Sequence, residues 1–305
     1  MDILILGAGA MGSLHGALLA RAGYEVTLYD IDEEKVKSIN EKGIRVTGLM
    51  KFTSHPKATT TPPSLPPNII FVFTKSYSTE EALYSVRELV TRKTMLVSLQ
   101  NGLGNEEVAR NYTDKLVGGV TTYAAILEKP GVVRWTGKGI TVIGRYPTGA
   151  PNYVYTLEKI LGNAGFNLNV TANIIGWKWL KAIVNSAINP IGALLGVTNG
   201  FILATGILRN LAVDIVEEGS QIAVKHGVKL PAKPVEMLIK TLESTKDNYN
   251  SMLQDLSKCR RTEIDYINGK IVEAASNLGI KAPLNKALWS LVKGAELKCN
   301  LIKGR

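Results

Sequence analysis

Cysteine is nearly absent: only Cys259 and Cys299 occur among 305 residues. Neither has metal-ligand spacing or a histidine pair nearby, so the sequence offers no disulfide framework and no zinc site. No metal is expected, and a reducing cytoplasm is the expected setting. Long apolar runs are missing as well. The opening Met1-Asp2-Ile3-Leu4-Ile5-Leu6 is far too short to span a bilayer, carries no basic stretch and runs into glycines, so neither an anchor nor an export signal is expected. Repeats and low-complexity tracts are absent. The net charge is +10, yet no dense basic run is interleaved with aromatics, so no nucleic acid or membrane partner is expected. Short clusters such as Lys258-Cys259-Arg260-Arg261 read as a solvated helix face. A positive field would still concentrate a phosphate-bearing cofactor and a carboxylate substrate. What is present is ordinary: 45% apolar and 20% charged residues, in a chain long enough for two medium domains.

The first half alternates short β-branched runs with helical patterns, the signature of βαβ units and a parallel sheet. Strands are expected at residues 3–6, 25–30, 69–75, 95–100 and 115–122, with helices at 10–22, 33–41, 79–91 and 105–112. Residues 44–63, rich in Thr and Pro, read as extended strands and loop. Residues 132–145 read as a hairpin turning at Gly137-Lys138-Gly139, and a helix at 153–162 with a strand at 167–171 closes this part. From residue 174 the period is helical: 174–189, 205–226, 234–245, 252–261, 264–278 and 287–297. The expected architecture is α/β, an N-terminal Rossmann-type dinucleotide-binding domain over 1–172, followed by an all-helical substrate-binding and dimerisation domain over 173–305.

Gly7-Ala8-Gly9-Ala10-Met11-Gly12 fits G-x-G-x-x-G between a strand and a helix. Gly7 permits a tight turn, Gly9 lets backbone approach a pyrophosphate, and Gly12 lets helix and strand pack closely; the helix N-terminus then holds the phosphates. The next strand, Val26-Thr27-Leu28-Tyr29-Asp30, ends in a carboxylate. There it would bind the adenosine ribose hydroxyls and repel a 2′-phosphate. No arginine occupies this turn, and the nearest cations are Lys35 and Lys37. The cofactor is therefore expected to be NADH or NADPH, with NADH preferred. Asp30 could instead cap the following helix and leave selectivity to those lysines.

In the helical half, Lys181, Asn185 and Asn189 recur at i, i+4 and i+8 on one helix face, ahead of Pro190. Such a stripe either faces water or lines a polar pocket, and the helical wheel does not separate Lys181 from Lys178. Pro190 is expected to break the backbone ladder. A second polar stretch runs from Asn250-Ser251-Met252-Leu253-Gln254-Asp255 to Arg261-Thr262-Glu263-Ile264-Asp265-Tyr266-Ile267-Asn268-Gly269. Ser251 with Gln254, and Thr262 with Asp265, look like capping boxes and hence helix starts.

Taken together and in order, the glycine motif, Val72-Phe73-Thr74-Lys75, Leu99-Gln100-Asn101-Gly102, residues 181–190 and residues 251–269 resemble the ketopantoate reductase family, over nearly the whole chain. The resemblance implies an NAD(P)H-dependent oxidoreductase acting on a CH-OH group. It would reduce ketopantoate (2-dehydropantoate) to (R)-pantoate, toward pantothenate and coenzyme A. The apolar surface available in the helical half, separately, leads to the expectation of a homodimer. The resemblance implies Lys181 as the proton donor to the ketone oxygen, with Glu263 beside that lysine and the nicotinamide ribose. Asn185, Asn189, Asn199 and Ser251 would bind substrate, with Asn248 a further candidate. Lys75, Asn101 and the backbone at Ala125 would contact cofactor, and Asn101 would also reach substrate. Asp30 departs from the best-known NADPH-using members, which carry a basic residue there. Two rivals remain. A β-hydroxyacid or imine-type reductase would lack the paired asparagines and the 251–269 block, and a non-catalytic NAD(H)-sensing protein would need neither Lys181 nor Glu263.

Overall fold

Alternate residues of the first strand, β1 (Asp2–Leu6), feed two different cores. Ile3 and Ile5 pack on one side with Leu14, Leu28 and Phe71, while Leu4 and Leu6 pack on the other with Ile70, Leu83 and Leu96. A strand buried on both faces reads as a continuous apolar run, which is why no alternation shows in the sequence. The computed structural model describes residues 1–303. By its contacts the chain falls into an α/β unit, Met1–Gln100 with Asn105–Ile175, and a helical unit from Gly176 onward that also takes in Asn101–Gly104.

In the α/β unit β1 is followed by α1 (Ala10–Arg21), β2 (Glu25–Tyr29), α2 (Glu33–Lys42), β3 (Ile44–Gly48), β4 (Phe52–Ser54), β5 (Lys57–Thr59) and β6 (Ile69–Val72). Then come α3 (Thr79–Ser85), β7 (Met95–Ser98), α4 (Asn105–Arg110), β8 (Leu116–Thr121), β9 (Ala124–Lys129), β10 (Val132–Gly137), β11 (Thr141–Arg145), α5 (Asn152–Asn163) and β12 (Leu168–Val170). The main sheet has the order β12-β11-β8-β7-β6-β1-β2-β5, parallel except where β11 runs against β8. The chain steps from β1 outward to β2 and later returns to β6 on the other side, so the strand order reverses between β1 and β6. Ligands of open α/β sheets bind outside the carboxyl ends of the strands at such a switch point. The fold class is the one expected.

The expected hairpin over residues 132–145 is not formed. Its two strands lie in different sheets: β11 joins the main sheet, whereas β10 pairs with β9 across the Pro130-Gly131 turn, in a small sheet of order β4-β3-β10-β9. Gly131 has φ 73, which only glycine adopts without strain. That makes it the real turn, ahead of Gly137 and Gly139.

The helical unit comprises α6 (Ile174–Leu195), α7 (Asn199–Ala204), α8 (Gly206–Lys225), α9 (Pro234–Ser244), α10 (Ser251–Ser257), α11 (Asn268–Asn277) and α12 (Pro283–Lys303). Two expectations are overturned here. The helix expected to stop at residue 189 runs on through Pro190 to Leu195, although Pro190 does break the ladder as expected. A proline leaves the carbonyl four residues earlier without its helical donor. That carbonyl belongs to Ser186, and it accepts a hydrogen bond from Asn268 Nδ2 at 2.9 Å instead. The absence of a disulfide is overturned as well. Cys259 and Cys299 are bonded, with Cα atoms 5.2 Å apart across a sequence separation of 40. Nothing local in the sequence marks the pair, because only the packing of α10 on α12 brings them together.

Candidate active site

The α/β unit carries a first group of candidate residues at the switch point. Gly7 has φ 98, and its N–H donates to the Tyr29 carbonyl at 2.8 Å. A Cβ on Gly7 would stand 3.1 Å from the Thr74 nitrogen, and one on Gly12 would collide with the Gly7 carbonyl oxygen. These two glycines serve internal packing. Gly9 does not: a Cβ there would meet nothing within 4 Å. Space at this glycine fits a group approaching from outside. The first turn of α1, with Ala10, Met11 and Gly12, has neither a side-chain cap nor an acidic residue. By contrast α2 is capped by Asp32 and carries Glu33 and Glu34. Uncapped N–H donors and an uncompensated dipole suit a phosphate.

Asp30 follows β2 and is not the cap of α2, so that alternative falls to Asp32, which accepts the Lys35 N–H at 3.1 Å. The Asp30 carboxylate accepts the Ala8 N–H at 2.7 Å and the Asp32 N–H at 3.0 Å. Lys35 Nζ lies 3.3 Å from both Asp30 and Asp32. Two carboxylates against one ammonium leave this corner negative. Behind the glycine loop His15 is fully buried, with ring centroids 4.5 Å from Phe73 and 4.3 Å from Phe166. Burial pulls its pKa down to about 4, so it is a neutral packing group.

Lys75, half-buried, begins the turn after β6. A buried polar network fixes that turn. Gln100 Nε2 donates to the Thr74 carbonyl and to Thr79 Oγ1, each at 2.8 Å; Thr79 Oγ1 donates to Asn105 Oδ1 at 2.9 Å, and Asn105 Nδ2 to Ser76 Oγ at 3.2 Å. Ala125 lies on β9 in the small sheet, opposite Trp135 of β10.

The helical unit carries the second group of candidate residues. Lys181, Asn185 and Asn189 lie on one face of α6; the first two are half-buried and Asn189 is 6% exposed. Among the described residues, neither the Asn185 nor the Asn189 side-chain amide has a hydrogen-bond partner within the protein. Burial, above all, lowers the Lys181 pKa to about 7, with the Lys178 ammonium pushing the same way and the Glu263 carboxylate opposing. Lys178, which the helical wheel left tied with Lys181, is only 5% exposed, and Glu263 is 8% exposed. An amine held near neutrality can both donate and release a proton at working pH.

Other candidates sit close to their scaffolds. Asn199 donates from Nδ2 to Thr245 Oγ1 at 2.8 Å, its N–H donates to the Asn248 carbonyl at 3.1 Å, and its Oδ1 is buried without a partner. Ser251 is not the cap of α10. Asn250 is, accepting the Leu253 N–H at 3.0 Å, which leaves the exposed Ser251 hydroxyl outside the cap. Nor does Thr262 start a helix; its Oγ1 accepts from the Ile264 N–H at 3.2 Å ahead of a short 3-10 turn, and α11 begins only at Asn268. Asn101, counted with this unit, heads a loop in which the Leu103 N–H donates to the Tyr266 carbonyl at 2.8 Å. Gly102 (φ 79) approaches Tyr266 so closely that a Cβ would lie 2.7 Å from its carbonyl oxygen.

Residues 3–148 match the family described as ketopantoate reductase PanE/ApbA, and residues 173–296 match its C-terminal domain. The chain is 50% identical over 296 residues to the 2-dehydropantoate 2-reductase of Pyrococcus horikoshii, covering 97% of this chain and 98% of that one. To the protein of that name from Archaeoglobus fulgidus it is 37% identical over 294 residues, covering 96% and 97%. Two solved structures share the fold. The ternary structure of D-mandelate dehydrogenase with NADH and anilino(oxo)acetate has a TM-score of 0.93 at 29% identity, covering 98% of this chain and 99% of that one. A ketopantoate reductase from Ralstonia eutropha has 0.90 at 30%, covering 98% and 100%.

Proposed function

Because this chain belongs to the ketopantoate reductase family, we propose that it is a 2-dehydropantoate 2-reductase, with Lys181 as its proton donor. The observation that carries the assignment of roles is the stripe on α6: an amine of pKa about 7 in line with two amides that have no partner among the described residues.

The α/β unit would hold the dinucleotide. The α1 N-terminus and the backbone at Gly7, Ala8, Gly9, Ala10, Met11 and Gly12 take the pyrophosphate, and Asp30 takes the ribose hydroxyls. By the family resemblance, Lys75, Asn101, Ala125 and Glu263 would also contact the cofactor. When bound, the nicotinamide supplies the hydride that reaches the ketone carbon. Lys181 donates a hydrogen bond to the ketone oxygen, stabilises the negative charge that builds there and gives up its proton to it. Glu263 keeps that amine protonated against the pull of burial and of Lys178. Asn185, Asn189, Asn199, Asn101 and the Ser251 hydroxyl bind the carboxylate and hydroxyl of the keto acid; neutral donors orient an anion without adding charge. NADH is the preferred cofactor, since the Asp30, Asp32 and Lys35 corner is net negative and repels a 2′-phosphate. We further infer a homodimer, since the helical unit exposes Leu195, Phe201 and Ile207. No helix among the described residues is long and apolar enough to cross a membrane.

The test follows loss of NADH or NADPH absorbance with ketopantoate and, separately, with an aryl 2-oxo acid. Turnover of ketopantoate, faster with NADH, is expected. Turnover of the aryl acid alone would move the chain toward its mandelate-dehydrogenase neighbour, and no oxidation with any 2-oxo acid would leave a cofactor-sensing protein.

A further inference from the structure

We propose that Glu296 is a positioning residue for Glu263, and that one face of α12 is built as a clamp on the irregular segment carrying that carboxylate. The inference rests on the role given to Glu263 above and concerns the helical unit alone.

Glu263 lies on backbone with no regular ladder to hold it: α10 ends at Ser257, and helical geometry resumes only with the 3-10 turn at Ile264. The segment is nonetheless deeply set, with Thr262 at 0% and Glu263 at 8% exposure. Glu296 provides the missing restraint. One of its oxygens accepts both the Thr262 N–H and the Thr262 hydroxyl, each at 2.7 Å. The same hydroxyl oxygen accepts the Ile264 N–H at 3.2 Å, so the residues on either side of Glu263 are tied to a single carboxylate. The other Glu296 oxygen pairs with Lys293 at 2.9 Å. Lys293 reaches on to Asp265 at 3.0 Å, and Asp265 also accepts from Trp289 Nε1 at 2.8 Å. Trp289, Lys293 and Glu296 follow i, i+4, i+7 spacing on one helix face. Beyond them Cys299 bonds Cys259, four residues before Glu263. The segment is thus fastened at its start, its middle and its end.

A buried charged network is a poor device for raw stability, because desolvation offsets most of the Coulomb gain. It does fix one geometry, and here that geometry belongs to the backbone on both sides of Glu263. Among the described residues, the charges that act on Lys181 are those of Lys178 on its own helix and Glu263 from this segment. Loosening the clamp withdraws the only carboxylate of the set.

The test is the pH profile of kcat/KM for ketopantoate reduction, with folding checked by circular dichroism. Glu296→Ala should move the upper limb to lower pH by about half a unit to one unit, in the direction of Glu263→Gln. The double variant should go no further than Glu263→Gln alone. Glu296→Gln, which keeps the oxygen acceptor, should hold the limb close to its wild-type position, and Thr262→Val, which deletes the hydroxyl tie, should move it as Glu296→Ala does and guards against an Ala variant that fails to fold. A folded Glu296→Ala or Thr262→Val enzyme with a lower Tm and an unmoved limb, beside a Glu263→Gln enzyme whose limb does move, overturns the clamp alone. An unmoved Glu263→Gln profile with full turnover overturns the role of Glu263 and the clamp with it.

Discussion

Lys181 is a group whose protonation is set by its neighbours more than by its chemistry. Burial and Lys178 bring its pKa from 10.5 to about 7 against the pull of Glu263. As proton donor it must be charged, so kcat/KM for reduction should be level in acid and fall as pH rises through about 7. Lys181→Met should lower kcat by about 10²–10⁴-fold, the usual worth of a general acid. The same residue makes a stability prediction of definite sign. Between the folded value and 10.5 the unfolded chain binds one more proton, so stability rises with pH across that window and the cost of burying a charged amine is complete below it. The Tm of Lys181→Met should therefore exceed the wild type most at the acid end of that window and converge on it in strong base. Thermal melts across pH that run parallel would contradict the assignment. At Asp30 the informative change is Asn, which keeps an acceptor for the Ala8 N–H and removes only the charge. The KM for NADPH should fall and that for NADH rise; an unchanged ratio would locate selectivity elsewhere.

At the scale of the element, α6 shows how a helix carries a proline through its interior. The ladder gap at the Ser186 carbonyl is filled from α11 by Asn268, which is itself fully buried and donates also to Asn285 at 3.1 Å. Asn268→Ala should cost about 1–3 kcal/mol, the penalty of stranding a buried acceptor. Pro190→Ala in that background should recover part of it, because residue 190 then supplies its own N–H. Urea melts of the single and double variants give the comparison. The stripe of Lys181, Asn185 and Asn189 was legible because its period is local to one helix. The continuation past Pro190 was not, because its remedy lies almost eighty residues away in the chain. The α12 face with Trp289, Lys293 and Glu296 escaped notice for another reason: a polar stripe that clamps a buried loop has the same spacing as one that faces water.

For the whole molecule, the α/β-then-helical order was readable from the switch in hydrophobic period, and the glycine loop from its place between a strand and a helix. The small sheet was not, since β3, β4, β9 and β10 come from separate stretches and their pairing is a tertiary event. The Cys259–Cys299 bond is the clearest case of information held only by the fold. At a sequence separation of 40, the loss of chain entropy in the unfolded state makes it worth about 4 kcal/mol. Cys259→Ser with Cys299→Ser, or incubation with a dithiol, should lower the Tm by several degrees; an unchanged melt in both conditions would mean the bond adds nothing to the folded state.

The four residues Asn101–Gly104 are encoded within the first half yet keep company with Tyr266 and Lys270 of the second. A chimera that joins this chain's first half to a relative's second half at the obvious seam would strand them opposite foreign neighbours. Exchanging the loop along with the downstream segment is the arrangement that keeps Gly102 and Gly104 against the Tyr266 and Lys270 they pack on.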